Sequence, residues 1–132
     1  MTKLNNIGIA PCIPRVCVGV AKLIMQISID FSTINDWQSF HLQFKAKMGF
    51  PGFYGNNMNA WIDCMSSIDA PSDGMSKVTV SANKPLEIVV NNIEKAIKTC
   101  PDVVHGFVEC AAFVNQRFIA TTSATRLKLI FI

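Results

Sequence analysis

The run LEIVV at residues 86–90 is apolar or β-branched at every position but Glu87 and fits a buried strand, and helical patterns lie on both sides of it. Downstream, Ile93, Ala96, Ile97 and Cys100 recur at helical spacing, and Pro101 closes that helix. Asp102 is then placed to cap a fourth helix, with Val103, Phe107, Val108, Ala111, Val114 and Phe118 facing inward. The sequence finishes with Leu127, Leu129, Ile130, Phe131 and Ile132, a run that suits a parallel strand buried on both faces. Upstream, residues 77–80 read as a short strand or an edge, and residues 70–74 (APSDG) as a loop.

A second helix is predicted over residues 57–67, with Met58, Trp61, Met65 and Ile68 as its apolar stripe. The turn-rich segment FPGFYG (50–55) precedes it. Before that, Trp37, Phe40, Phe44 and Met48 define a first helix that Gly49 stops, and Thr33 with Asp36 is the expected capping box. Ile27, Ile29 and Phe31 alternate with Gln26, Ser28 and Asp30 as a strand. The order is strand, two helices, strand, two helices, strand. Helices between strands imply parallel pairing and right-handed crossovers, hence an α/β fold: a small three-stranded parallel sheet with about four helices.

The 132 residues make one domain's worth of chain, and 50% are apolar, enough for a core. The net charge of +3 is unevenly placed: Lys3, Arg15 and Lys22 lie in residues 1–25, which contain no acid. Without those three, nine basic residues face nine acidic ones, so residues 26–132 are neutral and carry no electrostatic footprint for nucleic acid. The five cysteines (Cys12, Cys17, Cys64, Cys100, Cys110) form no CxxC pair and have no histidine partner at zinc spacing. They read as buried free thiols of a reducing, cytoplasmic setting. Residues 7–25 are apolar but broken by Pro11, Pro14, Arg15 and Lys22, too short in any stretch to cross a bilayer. They read as an N-terminal extension, disordered or the product of a start placed ahead of Met25, and otherwise as a targeting segment.

Catalytic chemistry finds little support. His41 follows Phe40 on the first helix and reads as structural, as does His105 in the first turn of the fourth. Neither stands near a nucleophile motif, and Gly49, Gly52 and Gly55 spell GxxGxxG, which is no phosphate loop. Asp63 and Glu109 are the two carboxylates among apolar helical neighbours, and nothing places them together. No catalytic residue, cofactor or metal site is expected.

The second helix has a further stripe. Asn56, Asn59 and Asp63 fall at i, i+3 and i+7, away from the apolar stripe, with Ile62 beside them. Such a stripe is either a solvated face or a binding surface in which hydrogen-bonding groups surround aromatic contacts from the preceding loop. Residues 53–64, FYGNNMNAWIDC, resemble the signature of the barstar family, intracellular protein inhibitors of a secreted ribonuclease. Phe53 falls on its first aromatic position, Tyr54, Gly55, Asn57, Ala60, Asp63 and Cys64 match it, and Pro51 fits the proline upstream. The resemblance covers residues 26–132 in outline, with an insertion near 70–84.

That resemblance implies that the loop and second helix plug the active site of a barnase-type ribonuclease, with Asp63 in the place of substrate phosphate. Phe53, Tyr54, Gly55 and Ile62 are then packing contacts, and Asn56 and Asn59 complete the partner-binding set. The partner is a secreted or toxin-type ribonuclease, bound by a chain that is a monomer when free and uses neither nucleic acid nor membrane. Three departures stand out: Asn59 replaces an aspartate, Ile62 a tryptophan and Asn56 a glutamate, and Glu109 is the nearest counterpart of a further acidic contact. Steering toward a basic nuclease is accordingly weaker. The alternative is a barstar-fold interaction module with a non-nuclease partner. A small hydrolase requires His41 or His105 to approach Asp63.

Overall fold

A computed structural model describes residues 24–132 of the chain, and the reading of the N-terminal extension lies almost wholly outside them. The elements are β1 (Met25–Asp30), α1 (Trp37–Met48), α2 (Met58–Ser66), β2 (Leu86–Asn91), α3 (Ile93–Thr99), α4 (Pro101–Ala120) and β3 (Leu127–Phe131), with single 3-10 turns at Phe31–Thr33 and Pro71–Asp73. The three strands form a parallel sheet in the order β1-β2-β3. This is the expected α/β arrangement, a three-stranded parallel sheet with four helices. Met25 opens the first strand, one residue ahead of the expected start.

Register explains the core. Ile27, Ile88 and Leu129 stand side by side, as do Ile29, Val90 and Phe131. Leu86, Ile88 and Val90 are wholly buried, whereas Glu87, Val89 and Asn91 on the other face of β2 keep partial exposure. That second face is polar at its first edge: Gln26 donates to Glu87 (2.9 Å) and Asn91 to Ser28 (2.7 Å). The central strand β2 is thus fully buried on one side. The last strand departs from expectation for the same reason, because it is an edge and only Leu127 of it is buried, while Phe131 is 50% exposed. Asn115 of α4 fixes it by accepting from the Leu127 N–H (2.7 Å) and donating to its carbonyl (3.1 Å).

An aromatic cluster joins the helices. Phe40 and Phe44 of α1, Trp61 of α2 and Phe107 of α4 lie with ring centroids 4.7–6.2 Å apart. Trp61 is wholly buried and its indole N–H has no acceptor among the described residues, so packing among these rings sets its position. The outward turn of α4 is shifted from expectation: Val104 is buried, and Val108 is exposed. Ile97 of α3 is exposed as well. Both are single apolar residues at the margin of a helix stripe, where one residue's rotation of 100° separates core from solvent.

Caps and loops refine the reading. Asp36, not Thr33, caps α1: its carboxylate accepts from the Ser39 N–H (2.8 Å), and Ser39 Oγ accepts from the Asp36 N–H (3.1 Å). Gly49 ends α1 in the left-handed region (φ 69°), where its own N–H bonds the Lys45 carbonyl. Asp102 lies in the first turn of α4 without capping it; Cys100 holds the cap position and Pro101 begins the helix. Residues 77–80 form no strand. The Lys77 and Val78 N–H groups donate to Met48 and that of Val80 to Ile68 (2.9–3.0 Å), so the segment laces the end of α1 to the end of α2.

Candidate functional site

The loop ahead of α2 is pinned from within. Phe50 and Tyr54 are buried and their rings lie 4.7 Å apart, over a turn in which the Tyr54 N–H donates to the Pro51 carbonyl (3.0 Å). The Tyr54 hydroxyl meets His41 Nδ1 of α1 at 2.6 Å. Burial pushes the Tyr54 phenol above its ordinary range, with Cys64 adding to it, and lowers the His41 imidazole. Both groups therefore stay neutral at physiological pH and form a neutral hydrogen-bonded pair. Tyr54, expected as a packing contact for a partner, instead braces the loop from below because its ring has only 5% of its surface exposed.

With Tyr54 turned in, its neighbour is turned out: Phe53 is 76% exposed, the most exposed large apolar side chain of the described residues. Gly55 and Asn56 continue the exposed rim, and Asn56 adopts φ 53°, a left-handed conformation that asparagine accepts more readily than most residues. Asn57 then caps α2 by accepting from the Ala60 N–H (2.9 Å) and donating to the Gly55 carbonyl (3.2 Å). The conversion from loop to helix is thus encoded by two adjacent asparagines with different tasks.

Within α2, Trp61, Cys64 and Met65 face the core. Asn59 and Asp63 are exposed, and Ile62 is half-buried at their side. Together with Phe53, Gly55 and Asn56 they occupy one connected stretch of loop and helix, so six of the seven expected partner-binding residues are at least partly accessible. Local spacing marked Asn56, Asn59 and Asp63 as a stripe away from the apolar face, and all three are exposed.

Sequence reasoning missed what lies across from it. Arg117 of α4 donates from Nη1 to Asp63 Oδ1 at 3.0 Å, and both side chains are about half exposed. The Arg117 guanidinium also lies over the Phe113 ring, 5.4 Å from its centroid, and Phe113 is itself 49% exposed. Glu109, the nearest acidic candidate on this helix, stands two turns further toward its N-terminus, about 12 Å along the axis. The α4 residue at the Asp63 side chain is therefore a cation, not an acid. Spacing of 113 and 117 marks a shared helix face, but nothing in sequence links that face to Asp63.

The family model Barstar (barnase inhibitor) matches residues 24–130. The chain belongs to the barstar family. A search for similar curated proteins found no match. The barstar signature residues Tyr54, Asn57, Ala60 and Cys64 are the brace, the cap and the inward contacts of α2, so most of the signature maintains the fold that presents Asp63. His41 bonds Tyr54, and Asp63 bonds Arg117. Among the described residues no group of three His, Cys, Asp or Glu side chains is placed to hold a metal ion, and no helix is long and apolar enough to cross a membrane.

Proposed function

We propose that this barstar-family protein is a stoichiometric, non-enzymatic inhibitor of a barnase-type ribonuclease, an immunity protein that works by occluding the nuclease's active site. The observation carrying this reading is the exposure of Asp63, 60% open on a helix locked into the core, beside Phe53 on a braced loop. A carboxylate held in this way offers oxygens where RNA would offer phosphate, and it meets the cations that bind the substrate. Phe53 and Ile62 supply apolar contact around it, while Asn56 and Asn59 supply hydrogen bonds without charge. Rigid presentation matters because little entropy is then lost on binding.

Titration of the full chain against a barnase-type ribonuclease, with Asp63→Ala in parallel, tests the proposal. Inhibition should saturate at one to one, and Asp63→Ala should weaken it by about thirtyfold or more, the loss of a central hot spot. Inhibition that is undiminished by Asp63→Ala would remove the phosphate-mimic role. A second reading, an interaction module with a non-nuclease partner, draws on the neutral Asn56 and Asn59 and on the pairing of Asp63 with Arg117. Folded protein that leaves such nucleases fully active would favour it.

A further inference from the structure

We infer that Arg117 is a specificity determinant of the α2 surface, selecting a partner site in which a carboxylate stands beside the cations and disfavouring a site built of cations alone. The inference rests on the inhibitor reading and adds a residue from a different helix to it.

Three features of the Asp63–Arg117 pair support this. Arg117 takes one Asp63 oxygen through a single 3.0 Å bond, which leaves Asp63 Oδ2 and the remaining guanidinium donors with no partner among the described residues. Phe113 supports the guanidinium from beneath, so the cation is positioned instead of trailing in solvent. The pair is half exposed on both sides, and an exposed pair of this kind contributes little to folding. Its consequences fall mainly on whatever docks there.

Charge complementarity states those consequences. A nuclease cation approaching Asp63 also approaches Arg117, and like charges brought together at an interface are penalised. On the α2 face the neighbouring positions Asn56 and Asn59 carry no charge to offset this. A partner carboxylate beside that cation removes the penalty: it accepts from the remaining donors of Arg117 while the cation takes the open oxygen of Asp63. The surface is a dipole, not an anion.

Dissociation constants for the full chain and its Arg117→Gln and Arg117→Glu variants against a barnase-type ribonuclease with a cation-rich active site test this, with circular dichroism confirming that each variant is folded. Arg117→Gln should tighten binding about three- to tenfold at low salt, and Arg117→Glu should tighten it further, with both gains shrinking as salt rises. Across a series of such nucleases with progressively fewer rim cations and more carboxylates, the advantage of Arg117→Glu should shrink and then reverse. Unchanged or weaker binding by both variants, or no detectable binding by any of the three proteins, overturns the inference. Adding Asp63→Ala to Arg117→Gln separates the two ideas. If the double variant loses binding while Arg117→Gln alone gains none, the inhibitor reading stands and the role of Arg117 falls. If Asp63→Ala is without effect in either background, the inhibitor reading itself falls.

Discussion

Helices α2 and α4 each send a charged side chain to the same patch of surface, yet they are held there differently. Asp63 projects from nine residues of helix whose cap, buried tryptophan and bracing loop all lie within 25 positions of one another in sequence. Arg117 comes from a helix that reaches Asp63 through its packing on α2 and α1 and its tie to β3. A local module can present one charge; the pairing of two charges is a property of how distant helices dock. The α2 half of the patch should therefore respond to changes in its loop, and the α4 half to changes in helix packing.

The largest expected effect comes from the helix crossing. A Cβ on Gly106 of α4 would stand 2.5 Å from the ring of Trp37, which itself packs against Phe40 and His41. Gly106→Ala should thus lower stability by about 1–3 kcal/mol despite alanine's better helix propensity, read as a shifted urea midpoint. A stabilised variant would show that α1 and α4 are free to move apart, and would break the contrast drawn above.

Next is the loop brace. Tyr54→Phe leaves His41 Nδ1 without its partner in a buried setting, and a loss of about 1–2 kcal/mol is expected by the same measurement. Inhibition should weaken too, since Phe53 sits on the loosened turn, whereas the distance between Asp63 and Arg117 should not change. Equal disturbance of both halves of the patch would contradict their separate support.

Acid should act through the same pair. Burial holds the His41 imidazole below its ordinary value of 6.5, so the folded state disfavours its proton. The unfolded chain takes up more protons as pH falls through 6.5, so stability is lost below that pH and this contribution is level above it. Replacing His41 with glutamine should flatten that part of the stability-versus-pH curve; an unaltered slope would place the titration elsewhere.

Backbone conformation yields a smaller effect. At φ 53°, Asn56→Glu should cost about 1 kcal/mol, while Asn56→Gly should be close to neutral. Restoring an acid at this position is thus expected to weaken the fold even where it aids attraction to a basic nuclease. The smallest change belongs to Phe113→Ala, which should stay within about 0.5 kcal/mol of the parent in stability because the ring is half exposed. Its consequence should appear in the salt dependence of binding, through a less ordered Arg117.

Sequence alone determined what depends on near neighbours. The strand at 86–90, the inward stripe of Trp61 and Met65, and the outward stripe of Asn59 and Asp63 follow from periodicity, because strand pleat and helix turn dictate facing within a few residues. Periodicity could not say which strands are edges, so the apolar run at 127–131 read as buried on both faces when helices cover only one. Nor could it separate the inward Tyr54 from the outward Phe53, whose roles are set by His41 thirteen residues away. The meeting of Asp63 with Arg117, 54 residues apart, was decided only by the packing of α2 on α4, since contact between distant segments depends on how their buried faces dock and not on the spacing within either.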